Sequence, residues 1–228
     1  MKKHLFVVAT FVAMILTACG PKEKSLDQLS KPMQSFLAEN EKHNMNATAP
    51  FTQYMGMTIQ GQEIEFTFLV DEEQMSYTFA ELKEMGEYEK MVNAERQEFL
   101  DFAVRIAHSD EIQALQEDPY RFVFTFQGQL SNENLVADVT AEDILFNYNK
   151  MREEIYCPED RDADSFFDEL ADSERFILNL EIETRAGNWD EVRRLIDEIK
   201  QSDAQLTYYQ AQRVSHVEEL LDQVEIAR

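Results

Sequence analysis

Four aspartates, Asp160, Asp162, Asp164 and Asp168, stand two, two and four residues apart. Carboxylates alternating along a loop can converge on one hard cation, and in a twelve-residue calcium loop these four would hold positions one, three, five and nine. Position six is then Ser165, where glycine normally makes the sharp turn. Position twelve is Ala171, where a bidentate glutamate normally closes the coordination shell. Phe166 and Phe167 also announce a helix, whose N-terminus favours aspartate for electrostatic reasons alone. The pattern therefore reads first as an acidic helix entry, with the four aspartates kept as candidate ligands and no metal or other cofactor assigned.

The remaining reactive residue types are scattered. His43, His108 and His216 share no metal-binding spacing and read as residues decorating helix ends. There is no GxSxG, no SxxK and no glycine-rich phosphate loop, and six glycines leave little material for one. Acid pairs such as Glu63/Glu65 and the run Asp71-Glu72-Glu73 could be imagined as hydrolytic carboxylates, but among 45 acids such pairs arise by chance. Met55, Met57, Met75, Met85 and Met91 fall where strand and helix core faces are expected. Trp189, Tyr208 and Tyr209 read as packing and capping residues. Cys157 is a small hydrophobe, an exposed thiol or half of an intermolecular bridge.

Cys19 has a different context. Basic Met1-Lys2-Lys3-His4 precedes a run from Leu5 to Leu16 that is apolar except for Thr10. Its 12 residues are too few to span a bilayer, which takes about 20. Leu16-Thr17-Ala18-Cys19-Gly20 follows. The order resembles the lipobox signal peptide of bacterial lipoproteins. That resemblance implies cleavage of residues 1–18, acylation of Cys19 with diacylglycerol and palmitate-type chains, and attachment to a membrane through that lipid. Two or more chains anchor stably, at roughly 0.8 kcal/mol per buried CH₂. Gly20 in place of aspartate does not suggest inner-membrane retention. Pro21-Lys22-Glu23-Lys24 is no acidic export tag. The expected address is the bacterial cell envelope, with the outer membrane facing the periplasm preferred to the cell surface and the inner membrane left open.

Cleavage removes Lys2 and Lys3 and no acid. The 21 basic residues become 19 against 45 acids, and the formal charge moves from −24 to −26. Such a body is repelled by nucleic-acid phosphates and by anionic headgroups, so attachment must come from lipid and not from a basic face. It is compatible with divalent cations or a cationic peptide. Aromatic residues at 11% argue against disorder.

These residues need elements to hold them. Residues 19–30 read as a tether and 31–47 as a helix, with Ser30 as N-cap, Pro32 in the first turn and an apolar stripe of Met33, Phe36 and Leu37. Residues 48–156 read as an α+β domain. Alternation of Met55, Met57 and Ile59 and of Ile64, Phe66, Phe68 and Val70 marks one hairpin. Phe122, Phe124 and Phe126, then Leu135, Ala137 and Val139, mark a second. Each runs into a helix. One carries Tyr88, Met91, Val92, Phe99, Phe102, Ala103 and Ile106, after a break at Gly86. The other carries Ile144, Leu145, Tyr148, Met151 and Ile155, and Thr140 with Asp143 caps it. The expected fold is two strand-strand-helix halves forming one antiparallel sheet with helices on one face. A helical segment follows at 160–228, broken at Gly187-Asn188.

Function follows from address more than from motif. The leading expectation is a membrane-anchored envelope lipoprotein with a non-catalytic binding or scaffolding role, its partners the membrane and another envelope protein. The alternatives are a lipoprotein capturing a cation or cationic peptide, and a hydrolase of unknown substrate. Cys19→Ser is expected to move the protein from the detergent phase to the aqueous phase on phase partitioning and to lower its intact mass by that of the acyl groups.

Overall fold

The computed structural model describes residues 23–47, 51–202 and 206–226. Residues 1–18, expected to form a signal peptide, Cys19 with the first residues of the expected tether, and 48–50 lie outside the described residues. The fold is α+β. Helix α1 (Lys31–Ala47) leads into the hairpin β1 (Thr52–Gln60) and β2 (Glu63–Val70). Helices α2 (Phe79–Met85), α3 (Tyr88–Ile106) and α4 (Ser109–Glu117) follow, then the hairpin β3 (Arg121–Gly128) and β4 (Asn134–Thr140) and helix α5 (Ala141–Glu154). Helices α6 (Ala163–Ala186), α7 (Trp189–Gln201) and α8 (Tyr208–Ile226) complete the described chain. Two strand-strand-helix halves and a helical C-terminal segment are thus present.

The sheet is mixed, in the order β1-β2-β3-β4. Each hairpin is antiparallel, but β2 and β3 run parallel, so the expectation of a wholly antiparallel sheet is corrected at its centre. The reason is the connection. Three helices separate β2 from β3 and return the chain to the end where β2 began, as parallel neighbours require. Parallel register sets Phe66 beside Phe124 and Phe68 beside Phe126. Their rings stack at 5.2 and 4.7 Å between centroids. Phe99 of α3 closes over this ladder, 4.4 Å from Phe124 and 5.6 Å from Phe122. Each such ring contributes roughly 1.5–3 kcal/mol by leaving water.

Helix α1 belongs to the same core: Met33, Phe36 and Leu37 are buried with the sheet's inner face. Two methionines expected inside lie outside. Met85 ends α2 on the surface, and Met55 is 55% exposed. The register of β1 shifts between Tyr54 and Gly56, where Gly56 takes φ 133°. That extra residue turns Met55 away from the face shared by Tyr54, Met57 and Ile59. Helix α4 is the element least marked in the sequence, with Ile112 and Leu115 as its buried apolar residues.

The chain is docked from the start of the described residues. Glu23 bridges Gln60 at the open edge of β1, the amide of Lys24 donates to the Ile59 carbonyl at 2.8 Å, and Leu29 is buried. The tether expected at 19–30 therefore joins the folded body from Glu23 onward. At the opposite edge, the Tyr88 hydroxyl donates to the Asn134 carbonyl and accepts from the Val136 amide of β4.

The C-terminal helices have a core of their own, built from Ile177, Leu180, Val192, Leu195, Ile196, Val214, Val217 and Leu221. Helix α6 is shared, since Leu178 faces the main core. Ion pairs fasten the two. Arg175 of α6 grips both oxygens of buried Glu111 at 2.7 and 2.6 Å and donates to the Ile106 carbonyl. Buried Glu174 accepts from Arg105, Arg213 and Gln210. Glycines at φ 72° end α2 and α6, as the breaks at Gly86 and Gly187 lead one to expect. Tyr208 and Tyr209 are exposed, contrary to their reading as packing residues, because α8 turns its valines and Leu221 inward instead.

One buried acid fixes the far end of the sheet. Glu72, just past β2, is 2% exposed. Its carboxylate accepts from the amides of Phe79, Leu130 and Ser131 and from the Ser131 hydroxyl, at 2.7 to 2.9 Å. Burial opposes its ionisation, but the donors from Ser131, Phe79 and Leu130 outweigh burial and hold its pKa below the ordinary value. Gly128 makes room: a Cβ there would lie 2.6 Å from the Glu72 carboxylate. Glu72→Gln is expected to cost about 2–3 kcal/mol at neutral pH in urea unfolding. A depressed folded pKa gives stability that is present above the unfolded value and lost as pH falls through the folded one, so the deficit should shrink on acidification. Gly128→Ala should cost a similar amount, about 2–3 kcal/mol, by displacing the carboxylate.

Candidate functional site

The four aspartates do not converge. The Asp162 side chain caps α6 by accepting from the Ser165 amide at 3.0 Å. Asp164 pairs with Arg152 at 2.7 Å. Asp168 caps α4 instead, accepting from the Ser109 amide and hydroxyl at 2.7 and 2.8 Å. Asp160 is exposed. Among the described residues no three His, Cys, Asp or Glu side chains come together to hold a metal ion.

The histidines separate as well. His216 is exposed on α8 and His108 precedes α4, its Nε2 3.0 Å from Asp172. Ser109 lies beside it, but its hydroxyl is bonded to a carboxylate with no imidazole between them, which makes a cap and not an activated nucleophile. Cys157 is half-buried and packs against Phe166, Phe167 and Leu170. The acid pairs are employed too: Glu63 pairs with Arg121, and Glu65 accepts from Thr125. Among the described residues, no helix is long and apolar enough to cross a membrane.

The concave feature that combines apolar walls with polar groups of unusual state lies at the far end of the sheet. It is a cavity of about 240 Å³. The strand ends supply its floor through Phe68, Val70, Phe126 and Leu135. Met75 and Phe79 close one side, and Met91, Glu95, Glu98 and Phe99 of α3 form the opposite wall. His43 and Asn44, in the last turn of α1, complete the rim with Phe51 and Thr52. The inward alternation of the strands and the three-and-four spacing of α3 aim these residues together, while the Glu72 knot holds the loop that carries Met75.

Three polar groups stand out. Glu95 is half-buried in the apolar wall, and burial followed by the charge of Glu98 one turn away raises its pKa to about 7. His43 is not a helix-end decoration, because its ring stacks on Phe102 at 3.7 Å between centroids. Burial and then the positive charges of Arg105, Arg185 and Arg213 lower its pKa to about 4, so it is neutral at pH 7. Its Nδ1 and the amide nitrogen of Asn44 are buried and have no hydrogen-bond partner among the described residues. Buried polar atoms are nearly always bonded, and exceptions concentrate where a ligand or water completes the set. The site is thus an apolar slot rimmed by two carboxylates, with His43 and Asn44 on the α1 side and no serine or cysteine in its lining.

Apolar spacing marked Phe68, Val70, Phe99 and Phe126 as core. Glu95 is one acid among 45 and nothing in its sequence neighbourhood distinguishes it. No protein-family model matches the chain, and comparisons with curated proteins and with solved structures return no match.

Glu95 binds a proton more readily folded than unfolded, so its contribution to stability is present at low pH and lost as pH rises through about 7. Glu95→Gln should accordingly raise stability by about 1–3 kcal/mol at pH 8 and change it little at pH 5, as read by thermal or urea unfolding.

Proposed function

We propose that this chain is a lipid-anchored envelope protein with a non-catalytic binding role, and that its site is the Glu95 cavity. The observation that carries the reading is an apolar slot bordered by Glu95 and Glu98, with Glu95 half-buried in its wall. A cavity of about 240 Å³ corresponds to about eight water-sized volumes. It suits one short aliphatic or aromatic group. The two carboxylates select a cationic head on that group. The net charge of −24 disfavours an anionic one.

Glu95 supplies a coupling. An ammonium at the rim favours the ionised carboxylate. Below about pH 7, ligand binding must therefore expel the Glu95 proton, and affinity falls by up to about tenfold per pH unit. A scaffolding role toward another envelope protein fits the same slot if the group inserted belongs to a cationic segment of that partner. No nucleic-acid or metal contact is needed.

The test is a thermal-shift titration with octylammonium, octanoate and spermidine. Octylammonium is expected to raise the midpoint of unfolding at pH 8 and to do so less at pH 6. Octanoate and spermidine should have little effect. Glu95→Gln should weaken octylammonium about tenfold, the equivalent of a lost charge-assisted hydrogen bond. No shift with octylammonium, or an equal shift with all three, would remove the cavity from consideration as the site.

A further inference from the structure

We infer that the end of the body facing the bilayer is dictated by chain length: the β1–β2 turn end of the sheet lies against the headgroups, and the Glu95 cavity opens at the opposite end, toward the aqueous compartment. This rests on the anchored reading above and adds an orientation to it.

Only four peptide steps separate Cys19 from Glu23, which spans at most about 14 Å fully extended. Glu23 is not free to swing, because it bridges Gln60 at the edge of β1 and the amide of Lys24 donates to the Ile59 carbonyl. The Lys24 ammonium lies 5.9 Å from the centre of the Tyr120 ring. Leu26 packs on the core and Leu29 is buried in it. An acylated Cys19 would therefore draw the Gln60 end of the sheet to within about 14 Å of the lipid.

The cavity sits at the other end of the same strands. Thr52 pairs with Val70, and Val70 with Gly128, all at the end away from Gln60. Eight residue steps along β1, from Gln60 to Thr52, cover about 26 Å. That places the cavity beyond the reach of the headgroup layer. Charge does not drive this arrangement. Glu63, Glu117 and Asp118 lie at the turn end beside Arg121. The tether holds that end down in spite of them. A ligand for the cavity must then arrive from the aqueous side or from a facing structure, and not from the membrane that holds the anchor.

The test uses the full-length acylated protein carrying Cys157→Ser. Single labels are placed through Gln62→Cys at the turn end and Gln129→Cys at the cavity end, both exposed positions. After reconstitution into vesicles with headgroup-borne quencher, the Gln62 label should be quenched several-fold more than the Gln129 label. Inserting ten Gly/Ser residues between Lys22 and Glu23 should erase most of the difference. Equal quenching at both positions, with intact mass showing an acylated N-terminus, would overturn the orientation and leave the anchoring intact. An N-terminus without acyl groups would overturn both.

Discussion

The parallel seam between β2 and β3 is the constraint on which the molecule depends. The two hairpins share no turn, and each has a single edge strand facing the other. What joins them is a register that puts Phe66 on Phe124 and Phe68 on Phe126, with Phe99 laid across the seam. Stacked aromatics in direct register are worth more than their area alone. A slip of one residue would send the whole phenylalanine set to the open face and leave α3 with nothing to cover. Because Phe68, Phe99 and Phe126 also line the cavity, the same contacts that hold the fold together shape the site.

Polar groups refine what the aromatics establish. Glu72 is buried with every donor it needs and closes the far end of the sheet. Glu111 and Glu174 are buried with arginine partners and clasp α6 to the body. Such buried ions are costly to desolvate, and the geometry around these three recovers the cost through multiple hydrogen bonds. Glu95 and His43 are the exceptions. Each is partly buried without a compensating ionic partner at the cavity, and each is shifted toward its neutral form. Partnerless buried atoms occur elsewhere too, on Glu39 and Asn40, so what marks the candidate site is that groups shifted toward their neutral forms line a cavity.

Much of the architecture was legible in residue spacing. The alternation in β2 and β4 and the stripes of α1, α3 and α5 match their buried faces, and the cap at Thr140 and the stops at Gly86 and Gly187 lie where the residue types put them. Three things were hidden. The parallel seam depends on where a fifty-residue connection delivers the chain, which local alternation does not encode. The bulge at Gly56 reverses Met55 through one backbone torsion. The site itself was invisible, since Glu95 becomes unusual only through apolar neighbours brought in from three strands and two helices. The aspartate series, by contrast, was conspicuous in sequence and is dispersed in space, because helix N-termini and arginines claim its members separately.

The Tyr88 phenol on β4 has a consequence for the lipid anchoring proposed above. Tethering of that kind would confine copies to two dimensions and raise their collision frequency, and a bare strand margin invites a neighbour's backbone to add on. Tyr88 occupies one carbonyl and one amide of that margin, while Glu23 covers part of the margin on the other side. Both flanks of the sheet are thereby blunted, so that crowding on a membrane need not seed a growing fibril.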